Sequence, residues 1–216
     1  MVTETVIDLL RHGEPEGGAR LRGARTDDPL SATGWSELHA AVAGRSDWDR
    51  IATSPLARCR AFADAIAAEA GLTPTVDPRL SEYDFGDWDG HPFDALWAEQ
   101  GDALAAFFGD PDRSAPPNGE TAAAFRARVR AAWEDLIADA AGGRILIVGH
   151  GGVLRQLVAD TLGVPGNPHA ALEWPHAAMS RIRVHDDPPY PRSRSLVFHG
   201  RAPTSGSPSE TPSRNG

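Results

Sequence analysis

Two apolar runs that each stop at a histidine beside glycine constrain this chain more than anything else in it. The first, Thr5-Val6-Ile7-Asp8-Leu9-Leu10, ends at Arg11-His12-Gly13. The second, Arg144-Ile145-Leu146-Ile147-Val148, ends at Gly149-His150-Gly151-Gly152. Short continuous runs of β-formers bounded by glycine predict strands, and the second run is apolar enough to be buried on both faces under helices. In open α/β sheets, ligands bind beyond the carboxyl ends of the strands, so both histidines are expected where chemistry can happen.

The remaining elements fall between and after these strands. Ser31 or Thr33 is placed to cap a helix whose buried face carries Trp35, Leu38 and Val42. Trp48 to Thr53 predicts a short strand, and Ser54-Pro55 a helix start, followed by Cys59, Phe62, Ile66 and Ala70 at helical spacing up to Gly71. Pro74 to Val76 predicts a brief strand. Phe93 to Phe108 predicts two short helical pieces, Asp110 to Gly119 a proline-rich loop, and Phe125, Val129, Trp133, Leu136 and Ile137 one side of a long helix. A further helix starts directly after Gly151, with Val153, Leu154, Leu157, Val158, Thr161 and Leu162 facing inward. Met179 to Val184 and Leu196 to Phe198 complete the strands. Strands alternating with helices predict a three-layer α/β/α sandwich with a mostly parallel central sheet. The 216 residues suit one domain over about residues 1–200, and the Pro, Ser, Gly and Thr of residues 201–216 predict a disordered tail.

Composition removes several function classes. The formal charge is −9 and the pI is near 5.3, which argues against a nucleic-acid or anionic-membrane binder. All 21 basic residues are arginine, so a Walker-A loop, a Schiff-base lysine and a Ser-Lys pair are excluded. With Cys59 as the single cysteine there is no intramolecular disulfide, and Cys59 reads as a small core residue. The N-terminus lacks the pattern of a signal peptide. The most apolar later stretch, Ile145 to Val164, is broken by His150, Arg155, Gln156 and Asp160 and falls short of the ~18 uninterrupted residues of a membrane span. A cytoplasmic protein, monomeric or homodimeric, is the expectation.

An acidic chain that binds an anion must do so in a local basic pocket. Arg11 at the first strand tip and Arg58 after Ser54-Pro55 are candidates, since guanidinium groups hold phosphate oxygens bidentately. The helix after Gly151 would add its N-terminal N–H groups. A histidine in such a pocket can be a metal ligand, a base or a nucleophile. Neither tip carries the closely spaced ligands of a zinc site, and no Gly-x-Ser-x-Gly elbow supports a Ser-His-Asp triad. An imidazole attacking phosphorus remains.

The ordered segments LLRHGE (Leu9 to Glu14), SPLARC (Ser54 to Cys59), LSEYDFGDWDG (Leu80 to Gly90) and VGHGGVL (Val148 to Leu154) together resemble the histidine phosphatase superfamily, also called phosphoglycerate-mutase-like. The resemblance implies that His12 is phosphorylated and that Arg11, Arg58 and His150 bind the transferring phosphoryl group. It further implies that Glu82 protonates the leaving oxygen and then activates water, with a small phosphorylated substrate and no metal or other cofactor. Family mutases carry a longer middle insertion with several basic residues. Here Gly90 to Gly119 offers only His91 and Arg113, which points to hydrolysis. Pro116 to Glu120 (PPNGE) and FGDWDG look similar to the α-ribazole phosphatases of cobalamin synthesis. That makes α-ribazole 5′-phosphate or a cobalamin-phosphate precursor the expected substrate. A broad-specificity phosphatase, a phosphoglycerate mutase and a non-catalytic phospholigand-binding protein are the alternatives. The chain departs from the family after His12: Glu16-Gly17-Gly18-Ala19-Arg20 stands where many members have an asparagine that touches phosphate, so a glycine N–H or Arg22 is expected to substitute.

Overall fold

The computed structural model describes residues 3–45, 47–164, 167 and 171–203. In chain order the elements are β1 (Thr3–Arg11), α1 (Ala32–Val42), β2 (Arg50–Thr53), α2 (Ala57–Glu69), β3 (Thr75–Val76), α3 (Phe93–Gly109), α4 (Ala122–Asp139), β4 (Arg144–Gly149), α5 (Gly151–Leu162), β5 (Met179–Asp186) and β6 (Ser193–Arg201). Short 3₁₀ turns cover Pro78–Leu80 and Gly86–Trp88. One sheet holds all six strands in the order β3-β2-β4-β1-β5-β6. The pairs from β3 to β1 are parallel, while β5 and β6 run antiparallel along one edge.

Side-chain alternation along the central strands builds two cores. Ile7 and Leu9 of β1 and Ile145 and Ile147 of β4 face one layer, where α4 contributes Phe125, Val129 and Trp133 and α5 contributes Leu154 and Leu157. Leu10, Leu146 and Val148 face the other, against Leu38 and Val42 of α1 and Phe62 and Ile66 of α2. Each such burial is worth ~1.5–3 kcal/mol. Helices on both faces make the three-layer sandwich, and they explain why β4 reads as an unbroken apolar run.

Several boundaries differ from the expectation. Ser31 caps α1, its side chain accepting from the Gly34 N–H. By contrast, α2 starts at Ala57, because Ser54 and Pro55 form a turn in which Ser54 Oγ accepts from the Leu56 N–H at 3.2 Å. Ala63 and Ala67 face the core of α2, whereas Ala70 is exposed. Leu162 is 48% exposed, since α5 runs out at Gly163 (φ 64°) before that turn reaches the core. The two helical pieces merge into α3, broken at Gln100 by a non-helical residue. Arg201 is the last residue of β6 and not part of a tail; residues 204–216 lie outside the described residues.

Within β1, Asp8 is 1% exposed. Arg181 on neighbouring β5 holds it bidentately at 2.7 and 2.9 Å, and Trp48 Nε1 donates at 2.9 Å.

Candidate active site

Parallel pairing of β1 with β4 brings Arg11 level with Gly149, so His12 and His150 emerge side by side. The His12 N–H donates to Gly149 O at 2.9 Å, and the two rings meet edge-on with centroids 5.3 Å apart. His12 Nδ1 lies 2.8 Å from Gly13 O. A carbonyl can only accept, so Nδ1 carries the hydrogen and Nε2 keeps a free lone pair. Burial, then Arg11 and Arg58, hold the His12 pKa well below the usual histidine value. His150 is shifted the same way by burial, Arg58 and His12. Both rings are therefore neutral at pH 7.

Arg11 donates to Trp174 O, and its Nε is buried without a partner among the described residues. Burial and then Arg155 lower its pKa to about 10, which leaves it charged at neutral pH. Arg58, on the first turn of α2, is wholly buried. It donates to Thr26 O at 2.6 Å and Gly23 O at 2.9 Å, and its Nε likewise has no partner among the described residues. Buried donors without acceptors are uncommon, and an oxyanion would supply acceptors for both.

Glu82 closes the opposite side. Its oxygens accept from the Tyr83 N–H and from the Gly152 N–H in the first turn of α5, each at 2.9 Å. Arg128 of α4 braces this segment by donating to Arg79 O, Ser81 O and Glu82 O and by pairing with Glu120. FGDWDG and PPNGE, far apart in sequence, meet here: a Cβ on Gly86 (φ +57°) would lie 2.0 Å from Pro117 O.

These groups surround an open cavity of about 830 Å³, within the range of small-molecule sites. Four of the six expected residues, Arg11, His12, Arg22 and Glu82, line it. Arg58 and His150 do not; they lie fully buried beneath its floor, where His150 Nε2 is 2.7 Å from Ser54 Oγ. Arg22 is drawn into its own loop, donating to Asp28, Glu16 O and Gly18 O. That loop is closed by Glu16 N–H to Pro29 O and Ser31 N–H to Glu14 O, and Asp89 pins its middle by accepting from the Gly23 and Arg25 N–H groups and the Thr26 hydroxyl.

Three basic cavity residues were not among the expected site residues: Arg20, Arg155 and His176. Arg155 follows Gly151 by one helical turn and was findable from that spacing. His176 lies in an irregular Trp-Pro-His segment without periodicity, and nothing in the sequence singles it out. The cationic lining also corrects the argument from the insertion. Arg113 points to solvent, pairing with Asp110, and His91 is exposed, while the cavity takes its positive charge from Arg11 of β1, from the loop after it and from α5. The low basic content of residues 90–119 therefore does not separate hydrolysis from mutase chemistry. Among the described residues, no group of three or more His, Cys, Asp or Glu is placed to hold a metal ion, and no helix is long and apolar enough to cross a membrane.

Comparison with known proteins follows the same lines. The family model described as the histidine phosphatase superfamily (branch 1) matches residues 7–195. A probable phosphoglycerate mutase of Yersinia enterocolitica is 32% identical over 185 residues, covering 84% of this chain and 86% of the relative. Among solved structures, a mycobacterial glucosyl-3-phosphoglycerate phosphatase in complex with VO3 superposes with a TM-score of 0.79 at 27% identity, covering 91% of this chain and 99% of that one. The α-ribazole phosphatase of Shigella flexneri gives a TM-score of 0.76 at 26% identity over 90% and 96% of the two chains.

Proposed function

This chain belongs to the histidine phosphatase superfamily, branch 1, and is an enzyme of that type; from that premise we propose that it hydrolyses a small phosphate monoester through a phosphohistidine at His12, without a metal. The observation that carries this is the state of the His12 ring: neutral, tied at Nδ1 to Gly13 O, and under the positive charge of Arg11 and Arg58. Nε2 attacks phosphorus as the ester P–O bond breaks, and Glu82 in its acid form gives the leaving oxygen a proton. The Glu82 carboxylate then takes a proton from water, whose oxygen attacks phosphorus and breaks the P–N bond. Phosphate leaves and His12 is neutral again. Arg11 and Arg58 stabilise the charge spread over the phosphoryl oxygens, and His150, held by Ser54 Oγ, meets the His12 ring edge-on from beneath.

For substrate, we propose α-ribazole 5′-phosphate or a cobalamin-phosphate precursor. The paired FGDWDG and PPNGE segments support this, as do the rings of Phe85, Phe93 and Phe108 on the cavity wall, which suit an aromatic leaving group. A second reading, an acidic phosphoester of the phosphoglycerate type, is favoured by Arg20, Arg22 and Arg155 in the same cavity.

The chemistry is tested with an aryl phosphate in excess EDTA. Wild type should turn over undiminished, His12→Ala should be inactive, and Arg58→Ala should lose about 100- to 1000-fold, as for removal of one preorganised oxyanion partner. Equal rates for wild type and His12→Ala, or complete loss in EDTA, would refute the mechanism. A panel with α-ribazole 5′-phosphate, 3-phosphoglycerate and glucosyl-3-phosphoglycerate, also scored for 3- to 2-phosphoglycerate conversion, separates the substrates.

A further inference from the structure

A third imidazole stands at this site. The His176 ring lies 5.4 Å, centroid to centroid, from that of His12, tilted by 37°, and it lines the cavity. Neither of its nitrogens has a hydrogen-bond partner among the described residues, whereas His12, His150 and His199 are each engaged. The segment that carries it is held from every side. Arg155 Nε donates to Leu172 O at 2.6 Å, His199 Nε2 donates to Glu173 O at 2.9 Å, Arg11 donates to Trp174 O, and the Ala177 N–H donates to His12 O at 3.2 Å. Ala177 is forced to φ 52°, a left-handed conformation uncommon for a residue other than glycine. Strain that the surroundings over-determine is found where a side chain must be aimed.

We propose that His176 is a phosphoryl-binding residue: it donates a hydrogen bond to the oxygens of the group carried on His12 and takes up a proton from solvent when a dianion occupies the cavity. The inference rests on the phosphohistidine reading. A phosphoryl group on His12 Nε2 extends into the cavity that the two rings share, and His176 is the unengaged imidazole there. Around His176 stand Arg11 and His12 at the end of β1 and Arg22 in the next loop, with Glu82 and Arg155 on the same cavity. Burial, Arg11 and Arg22 lower its pKa to about 4, so it is neutral in the free protein above that pH. A doubly negative oxyanion between it and Arg11 reverses the local field, raises the pKa and favours binding with proton uptake at pH above about 4.

Titration calorimetry with orthovanadate at pH 7, in two buffers of different ionisation heat, tests this on wild type, His176→Ala and His176→Asn. Melting temperatures beforehand establish that each variant is folded. Wild type is expected to take up more protons than either variant, a comparison that cancels the ligand's own protonation. His176→Ala should bind on the order of 10- to 100-fold more weakly, the effect of losing one hydrogen bond to a charged group. The asparagine amide donates without titrating, so His176→Asn should regain part of the affinity and none of the proton uptake. If either folded variant matches wild type in both affinity and uptake, the inference is overturned, and the phosphohistidine reading stands as long as His12→Ala is inactive. If wild type does not bind orthovanadate, both fall.

Discussion

Asp8 and Arg181 show how one residue pair fixes the centre of the sheet. Asp8 lies on the α1–α2 face of β1, where alternation calls for an apolar side chain, and its charge partner sits directly across on β5. Replacing one member of a buried pair strands the other, at a cost of ~3–5 kcal/mol, and the fifth of the Arg181 side chain open to solvent moves the effect to the low end. Asp8→Asn is therefore expected to lower the urea midpoint markedly while leaving KM for an aryl phosphate close to wild type. An unchanged midpoint would mean that Trp48 and the asparagine amide suffice. The sequence shows Asp8 only as an irregularity in an apolar run, because its partner is 173 residues away.

At the scale of elements, the loop between β1 and α1 is where folding and function meet. It has no regular structure, yet it supplies the carbonyls that Arg58 grips and two of the arginines that line the cavity. Asp89 tethers it by three hydrogen bonds. Asp89→Ala is expected to free the loop, cut kcat/KM on the order of tenfold by misplacing Arg58, and speed trypsin cleavage after Arg20, Arg22 or Arg25 relative to wild type. Cleavage at the wild-type rate would show that the Pro15–Leu30 closure alone holds the loop. Both strand tips, their histidines, Ser31 as a cap and the faces of α4 were readable in the sequence because periodicity and capping are local. The start of α2, the last turn of α5, His176 and the true source of cavity charge were not. Each of those depends on what another segment does: Ser54 turns to reach His150, and Arg155 reaches the 172–176 segment across the cavity rim.

For the molecule as a whole, His12, His150 and His176 are all held neutral by burial and by arginine, with pKa values below the unfolded value near 6.5. The unfolded chain thus binds more protons below pH 6.5, so stability is full above that pH and is lost as the pH falls towards the folded values, about 4 for His176. Each histidine contributes a slope of up to about 1.4 kcal/mol per pH unit. Urea midpoints should fall steeply from pH 7 to pH 5, and a His176→Asn variant should fall less steeply. A flat profile over that interval would contradict neutral burial. Cys59 carries a last consequence. The chain's only thiol is fully buried on α2, 3.5 Å from His150 Nε2, with its pKa pushed up by burial. No alkylating reagent can meet its sulfur until α2 lifts from β4 and the floor beneath His12 parts. The rate at which such a reagent consumes the thiol is therefore a clock, built into the protein, for the spontaneous breathing of its own reaction chamber.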